Sequence, residues 1–329
     1  AAVRVVTSTG SAVSTFPRVK GTVYVIEPAP TGGWYLGGKF THVGGYAREN
    51  LAFVQSNSAV SSWNPGVTGT NAKVEDIMVR GGKVYIGGWF TEVGGQPRSN
   101  AAAIEIPTGT VAAWNPGPTS TVHSIAAVGG TLYLGGDFAS LATGARRYLA
   151  AVDTLNGNPT SWDPSPSGPV NSLAPSPPIL YVAGEFDSIS GQAREKLASV
   201  YMTNGVASSW NPTANYGVDH ILVFGSTAYV AGAFTMVGGL PRGHIAAIDA
   251  STGVPTAWAP DADDDVHTVH LYGSTVYLGG RFHSVGGANR DYVAAIDAAT
   301  GLATSWNPRA NLDVHSINVS GYYTLLGGR

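Results

Sequence analysis

The chain has 329 residues, of which only 12% are charged, with 44 Gly, 20 Pro, no Cys and a formal net charge of −3. A typical globular domain carries about 25% charged residues and about 7% Gly, so this composition argues against long surface helices. The missing Cys excludes thiol nucleophiles, disulfides and thiolate metal sites, and the near-neutral balance argues against nucleic acid as a partner.

The N-terminal residues 1–15 match the third and fourth strands of the repeated unit described below, and Phe16-Pro17 is a degenerate first copy of its Trp-x-Pro signal. The start, Ala1-Ala2-Val3, has the small residues that follow signal-peptide cleavage, and no apolar stretch is long enough to span a membrane. These features predict an extracellular or cell-surface location without a membrane span. A domain excised from a longer protein begins in the same way.

A repeat dominates the rest of the chain. Its anchor is a Gly-Gly or Ala-Gly pair, followed in six copies by a residue and a Phe, and the second glycines are spaced by 50 and then five times by 48 residues. The seven anchors are Gly37-Gly38, Gly87-Gly88, Gly135-Gly136, Ala183-Gly184, Ala231-Gly232, Gly279-Gly280 and Gly327-Gly328. A Trp-x-Pro signal at Trp63, Trp114, Trp162, Trp210, Trp258 and Trp306 follows nearly the same period.

One unit, residues 266–308, contains four β-prone segments separated by turn signals. The segments are 266–272, 275–280, 292–297 and 303–306, with a glycine loop at 285–287 and a stop at Pro308. Four short antiparallel strands in a unit of this length are typical of a propeller blade. The sequence therefore predicts an all-β fold, a seven-bladed β-propeller with four antiparallel strands per blade.

The two ends of the chain complete each other. Residues 306–329 supply a first and a second strand, and residues 1–15 supply a third and a fourth. We expect a single domain, 1–329, closed by pairing of the N- and C-terminal half-blades, which removes free sheet edges. The loop between the second and third strands is the part that this seventh blade lacks.

The motifs Leu278-Gly279-Gly280-x-Phe282, Arg290, Ala294–Asp297 and Trp306-Asn307-Pro308 resemble those of bacterial exported propellers of the delta-sixty repeat kind, with a kelch-like layout. The resemblance covers the whole chain. It implies a scaffold that binds other molecules more often than it catalyses, and it carries no agreed catalytic residues.

Residues that recur in every unit are expected to serve the fold. The Trp residues should pack between outer strands, and the Gly-Gly pairs should allow close approach of backbones. An arginine ten residues after each anchor should tie its loop to neighbouring carbonyls or carboxylates, the alternative being a set of anion receptors. These arginines are Arg48, Arg98, Arg146, Arg194, Arg242 and Arg290.

The residue after the Val that opens each first strand varies in chemistry while its position is fixed. The seven are Tyr24, Glu75, His123, Asn171, Asp219, His267 and His315. Because first strands line the channel of a propeller, these side chains are predicted to ring its mouth, where imidazoles and carboxylates move protons or bind metal. The alternative is that they only satisfy the inner strand edge and channel water.

A second variable position follows each anchor pair. It is occupied by Lys39, Trp89, Asp137, Glu185, Ala233, Arg281 and Arg329. One side of this rim is predicted to be acidic and the other basic, and an exposed Trp beside carboxylates is a common sugar-binding arrangement. We expect ligand binding by Trp89, Asp137, Glu185, Arg281 and Lys39, the alternative being a Trp folded onto its own blade's loop.

The loop Asp261-Ala262-Asp263-Asp264-Asp265 carries alternate carboxylates, at Asp261, Asp263 and Asp265. Such oxygens suit Ca²⁺, although the glycine and distal glutamate of an EF-hand are absent. Calcium is the one cofactor that the sequence suggests, and a solvated acidic loop is the alternative.

No nucleophile-elbow, Walker or zinc-protease motif is present. The leading hypothesis is a non-enzymatic extracellular scaffold that presents a loop face to a glycan or a cell-surface protein. The alternatives are a polysaccharide lyase or hydrolase acting at the channel mouth, and a structural module of a filament, an adhesin or another multidomain protein.

Overall fold

The computed structural model of the protein describes residues 2–329, which form short β-strands joined by turns. Seven times, a first strand turns back into a second strand, and a third strand pairs antiparallel with the far side of the second. We call these three-strand sheets units 1 to 7, in the order of their first strands. No helix in residues 2–329 has the length and apolar character to cross a membrane.

The strands alternate along the chain in a fixed order. The first strands of units 1 to 7 are β2 (Val19–Pro28), β7 (Lys73–Arg80), β12 (Val122–Val128), β17 (Val170–Ser176), β22 (Val218–Phe224), β27 (Val266–Tyr272) and β32 (Val314–Ser320). The second strands are β3 (Trp34–Val43), β8 (Lys83–Trp89), β13 (Thr131–Gly136), β18 (Ile179–Gly184), β23 (Thr227–Gly232), β28 (Thr275–Gly280) and β33 (Tyr323–Gly328). The third strands are β5 (Leu51–Val54), β11 (Ala101–Glu105), β16 (Leu149–Asp153), β21 (Leu197–Tyr201), β26 (Ile245–Asp249), β31 (Val293–Asp297) and, for unit 7, β1 (Ala2–Val6).

Two-residue strands form small hairpins after the second strands of units 1 to 6, where the sequence predicted only a glycine loop, and one more, Val67–Thr68, precedes the first strand of unit 2 and extends the hairpin of that unit. They are β4 (Tyr46–Ala47), β6 (Val67–Thr68), β9 (Glu92–Val93), β10 (Gln96–Pro97), β14 (Ser140–Leu141), β15 (Gly144–Ala145), β19 (Ser188–Ile189), β20 (Gln192–Ala193), β24 (Met236–Val237), β25 (Leu240–Pro241), β29 (Ser284–Val285) and β30 (Ala288–Asn289). In unit 6, Gly286 and Gly287 both have positive φ, as the tight turn between β29 and β30 requires.

The predicted fourth strand is much shorter than expected. In unit 6, Ala303 forms an isolated bridge with Ile296, and Thr304 N–H donates to the Ala295 carbonyl at 2.8 Å. The segment ends at Trp306 because Pro308 follows two residues later and supplies no N–H to a ladder. In place of the expected four-strand blade, the unit is a three-strand sheet, and the segment predicted as its fourth strand is joined to the third strand by an isolated β-bridge.

The anchor glycines are required by two close approaches. A Cβ on Gly88 would lie 2.1 Å from the Lys73 carbonyl oxygen, across the hairpin of its own unit. A Cβ on Gly87 would lie 2.7 Å from Val122, the residue that opens the next unit's first strand. The pair thus sets both the curvature of one hairpin and its packing distance from the next unit.

Repeated side chains tie neighbouring units together. The Trp114 indole donates to the Asp153 carbonyl of the next unit at 2.9 Å, and it packs edge-on against Tyr85 of its own unit. Arg98 donates to the Pro97 and Ala112 carbonyls, at 2.8 and 2.7 Å, and so fixes the hairpin to the outer segment. The same pattern of Arg contacts recurs at Arg146, Arg194, Arg242 and Arg290, so these arginines serve the fold as predicted.

The two ends of the chain share one sheet. β1 pairs antiparallel with β33 from Ala2 opposite Gly327 to Val6 opposite Tyr323. Unit 7 also contacts unit 1, because the Ile26 N–H donates to the Ser316 hydroxyl at 3.1 Å. A Cβ on Gly327 would lie 2.8 Å from Val23, which repeats the contact between the other neighbouring units.

Candidate functional site

The seven variable residues of the first strands all occupy β-bulges. In unit 2, Val74 is opposite Gly88 and Asp76 is opposite Gly87, which leaves Glu75 outside the ladder. The same register shift occurs in the first strands of the other six units. A bulge re-aims a side chain without changing the strands around it. Each unit therefore presents one residue that the pairing of its strands does not constrain.

These seven bulge residues line a single cavity of about 390 Å³. The bulge residues are Tyr24, Glu75, His123, Asn171, Asp219, His267 and His315. The next residues along the strands, including Asp76 and His220, line it as well, and so does Glu27. The wall of the cavity is polar, because carboxylates, imidazoles and hydroxyls supply most of the surface that lines it.

A chain of hydrogen bonds crosses from unit 2 to unit 3 at this cavity. His123 Nδ1 contacts the Glu75 carboxylate, and His123 Nε2 lies 3.0 Å from Asp137 Oδ1. The Lys73 ammonium pairs with the other oxygen of Glu75. An imidazole held by two carboxylates donates from both nitrogens, which is the protonated state.

The electrostatics agree with that geometry. Burial lowers the pKa of His123, but the hydrogen bonds to Asp137 and Glu75 outweigh burial and raise that pKa to about 9. The bond from His123 in turn lowers the pKa of Asp137. At neutral pH Glu75 and Asp137 are therefore carboxylates, and His123 between them is an imidazolium.

On the other side of the cavity two imidazoles lie together, and His315 is neutral at pH 7. The rings of His267 and His315 stack with centroids 5.3 Å apart, and Tyr24 lies against His315 at the same centroid distance. Burial, together with the neighbouring His267, lowers the pKa of His315 to about 4. His267 also faces the Asp219 carboxylate at 3.3 Å.

The side chains that directly follow the bulge residues form a second row, which the sequence reasoning missed. This row links neighbouring units. Ser124 and Ser172 each accept a hydrogen bond from the backbone of the next unit, at 3.2 Å from Leu173 N and Ile221 N. Asp76 accepts at 2.6 Å from Ile125 N in the same way. The signal was present in the sequence, because these residues directly follow the variable position and recur with the 48-residue period.

Asp76 of this row and Glu27, which also lines the cavity, are half-buried acids. Burial raises the pKa of Asp76 to about 7, although N–H donors from Ile125 and Ile77 act against it. Burial, and then the charge of Asp76, raise the pKa of Glu27 to about 8. Two acids that hold protons near neutral pH thus lie at one cavity wall.

The rim residues directly follow the anchor pairs, and Trp89 is the last residue of its second strand. Trp89 is 39% exposed, and its indole donates to the Thr70 carbonyl at 3.1 Å, so it contacts the loop of its own unit and keeps an open face. Trp89 also lies opposite Lys73 in the strand register, which places it beside the hydrogen-bonded chain that ends at Asp137. Glu185 lies against Gly217, and burial raises its pKa.

The basic rim residues are less engaged with the cavity. Lys39 donates to Asn71 at 3.1 Å, and Arg329 lies 3.7 Å from the Asp313 carboxylate. Arg281 is exposed, and its backbone N–H donates to the Asp265 carbonyl. Ala233, at the same position in unit 5, has no polar side chain and offers no contact of this kind.

The carboxylates of the acidic loop contact backbone N–H groups and a histidine. Asp263 Oδ1 accepts from His283 N and Ser284 N, whereas Asp261 Oδ1 accepts from Gly243 N and Asp265 faces His244 at 3.5 Å. Within residues 2–329, no three Asp, Glu or His side chains converge as metal ligands. Thr119, Ser167 and Asn215 make the Asp263 contacts in units 3, 4 and 5. Asp263 is therefore one version of a repeated hairpin cap.

Seven repeated antiparallel sheets, with first strands that meet at one cavity, define a β-propeller. In agreement, a family model described as "Domain of unknown function (DUF5122) beta-propeller" matches residues 82–102, from the second strand of unit 2 to the start of its third. No curated protein matches the chain.

Solved structures share the fold at low identity. The chain is similar to the WD40 β-propeller domain of Doa1, at 10% identity, a TM-score of 0.65 and coverage of 94% of this chain and 90% of that one. It is similar to the computationally designed Ika8 protein, at 11% identity, a TM-score of 0.60 and 94% coverage of both chains. It is also similar to the extracellular domain of BT4673 from B. thetaiotaomicron, at 12% identity and a TM-score of 0.63, over 94% of this chain and 37% of that one.

Proposed function

We propose that the seven units are the blades of a closed seven-bladed propeller, and that the protein is a non-enzymatic scaffold outside the cell that binds a glycan at its cavity mouth. The contacts of unit 7 with unit 1, through Ser316 and Gly327, support the closed ring. The fold shared with an extracellular bacterial domain agrees with the proposed location.

The observation that carries the glycan proposal is the pairing of an open indole face with fixed carboxylates. Trp89 exposes a flat apolar surface of the kind on which sugar rings stack. Asp137 is held by His123, and Glu185 lies one unit further along the rim. Sugar hydroxyls donate hydrogen bonds to such carboxylates. The charged side chains of His123, Glu75 and Lys73 hold the Asp137 carboxylate in its orientation, so no bound ion is needed for that.

We expect the affinity for a single glycan to be weak. Stacking and two hydrogen bonds each contribute about 1 kcal/mol after desolvation, about 3 kcal/mol in all, which corresponds to a dissociation constant in the millimolar range. Useful binding then depends on several sites acting together, as on a cell surface or a polymeric glycan.

The test is glycan-array binding followed by titration of the unmodified protein and of Trp89→Ala. The variant should lose the signal and keep its melting temperature, because only unit 2 has Trp at this position. Tyr322→Ala is the matched control, since Tyr322 is an aromatic residue, 86% exposed, in the turn at the other end of the hairpin of unit 7. Trp114→Ala should instead destabilise the fold, because that indole bridges two units. Unchanged binding by Trp89→Ala would reject the proposal.

A polysaccharide-active enzyme is the second candidate. The observation that favours it is the pair of half-buried acids Glu27 and Asp76, which hold protons near neutral pH at the cavity wall, as a general acid must. Release of new reducing ends or unsaturated ends from a polysaccharide, lost in Glu27→Gln, would select this function. Glycan-dependent melting shifts without product release would select the binding protein.

A further inference from the structure

The turns of the units lie at the end that faces away from the cavity. In unit 6 the bulge and the anchor pair are at one end of the hairpin, where Val266 is opposite Gly280, and the turn at Gly273 is at the other end. The turn after the third strand lies beside it, because the Ala298 N–H donates to the Ser274 carbonyl at 2.9 Å. The same bond recurs in units 3, 4 and 5, from Thr154 to Gly130, Met202 to Pro178 and Ala250 to Ser226. Both turns of these units therefore share one face, which we call the turn face.

Exposed apolar side chains are concentrated on the turn face. Of the fifteen large apolar side chains that are exposed in residues 2–329, seven lie in the turns of four consecutive units or at the strand ends beside them. These seven, which we call the apolar patch, are Leu155 of unit 3, Tyr201 and Val206 of unit 4, Phe224 and Val254 of unit 5, and Tyr272 and Leu302 of unit 6. Tyr322 of unit 7 lies at the edge of the patch. In unit 2 the positions of Phe224 and Val254 hold Arg80 and Thr110, so the fold does not require apolar side chains there.

The apolar patch is large enough for a stable contact between proteins. Its members are between 41% and 84% exposed, which together amounts to about four complete side chains. Because a large side chain has on the order of 200 Å² of surface, the patch presents roughly 700 Å². The largest apolar patch of a typical monomer is about 300–600 Å², and a standard interface buries about 800 Å² of each partner. The patch therefore has the size of one side of a protein interface.

The charges near the apolar patch favour a partner that carries both signs of charge. The turns of units 3 to 6 hold three carboxylates, Asp153, Asp249 and Asp297, and no Lys or Arg, which does not suit an anionic lipid surface. Asp249 and Asp297 accept hydrogen bonds from N–H groups of their own turns. The turn of unit 2 holds Arg80, whose guanidinium donates to the Gly129 carbonyl rather than to a carboxylate. The turn face thus presents an arginine on one side and carboxylates on the other.

We propose that the turn face is the contact surface between two copies of this chain. A contact related by a two-fold axis uses the same surface twice, so the apolar patch of one copy covers that of the other. The same symmetry brings Arg80 of each copy to Asp249 or Asp297 of the other copy. The two cavity mouths then point outward in opposite directions. Such a dimer does not depend on the glycan proposal, and it offers a polymeric ligand two mouths in one particle.

The first test is sedimentation velocity of the 329-residue chain over a series of concentrations. We expect a species of twice the chain mass, with a dissociation constant in the micromolar range or below. Phe224→Glu should weaken the dimer at least about 100-fold, because the symmetric contact loses two aromatic side chains and gains two carboxylates. Tyr216→Glu is the matched control and should leave the dimer unchanged. Tyr216 is 60% exposed, against 67% for Phe224, and precedes the first strand of the same unit, at the cavity end.

The second test addresses the charge contact. Arg80→Gln should weaken the dimer a few-fold, and either Asp249→Asn or Asp297→Asn should add no further loss to it, because both changes remove the same contact. Additive losses at both aspartates would contradict the symmetric pairing. A chain that stays monomeric up to about 1 mM, or a Phe224→Glu variant that dimerises like the parent, would overturn the proposal. A monomeric chain that binds phosphatidylcholine vesicles, and loses that binding in Phe224→Glu, would assign the turn face to a lipid surface instead.

Discussion

Asp76 offers the sharpest test of the row of side chains that links the units. It stands where Ser124, Ser172 and Ser316 stand in other units, and each of these serines accepts one backbone hydrogen bond from the next unit. Asp76→Ser therefore replaces a half-buried acid by the residue that the repeat itself uses. The substitution should keep the bond from Ile125 N and lose only the bond from Ile77 N.

The magnitude follows from linkage between protonation and folding. The pKa of Asp76 is about 7 in the folded protein, against about 3.9 in an unfolded chain. Because the folded pKa is the higher one, this carboxyl lowers stability as pH rises from about 4 through 7, by about 4 kcal/mol in all. The lost hydrogen bond costs about 1 kcal/mol at every pH. Asp76→Ser should therefore be about 3 kcal/mol more stable than the parent at pH 8 and about 1 kcal/mol less stable at pH 4.

The assay is urea unfolding followed by tryptophan fluorescence at pH 4, 6 and 8, with the denaturant slope compared between proteins. Ser124→Asp is the reciprocal control, since it introduces an acid at the same position of unit 3 and should lose stability mainly at pH 8. A free-energy difference for Asp76→Ser that is the same at pH 4 and pH 8 would refute the reasoning.

Three further outcomes are expected. Removal of residues 2–15 should strip β1 from β33 and cause aggregation or a large fall in melting temperature, so a thermally silent deletion would contradict the closed ring. Asp263→Ala should lower the melting temperature and Asp263→Asn should not, because an amide oxygen accepts the same two backbone hydrogen bonds. EDTA should leave the melting temperatures of both variants and of the parent unchanged, and a parent that melts earlier with EDTA would support the calcium hypothesis instead. His123→Gln should remove a stabilisation that is fully present below pH 6.5 and is lost as pH rises through about 9. If the free energy of urea unfolding depends on pH in the same way in the variant and the parent, the ionised hydrogen-bonded chain at Glu75 is contradicted.

The period of the repeat was the most informative part of the sequence. It predicted an all-β propeller, and the strands and the similar structures agree. It also picked out the variable residues of the first strands, because a fixed spacing implies a fixed strand register. The functional roles proposed for them, including a glycan at Trp89, stay predictions.

Contacts between units were beyond sequence reasoning. Glu75 and His123 meet because the spacing between neighbouring first strands brings residues 48 apart together, and no local pattern encodes that spacing. Calcium at Asp263 stays a prediction, because an acidic loop has the same sequence whether its oxygens face a cation or backbone amides. The positional equivalence of Asp263 with Thr119 and Asn215 would have revealed the cap.

The bulge gives this molecule a modular surface for selection and for protein engineering. Because the bulge residue makes no ladder contact, its identity can change while the glycines, valines and tryptophans that set the blade remain constant. Seven such positions surround one cavity, one from each unit, so a set of variants can combine any residues at these positions. Randomising only these seven codons would explore new ligand specificities while the paired strands of each unit keep their register.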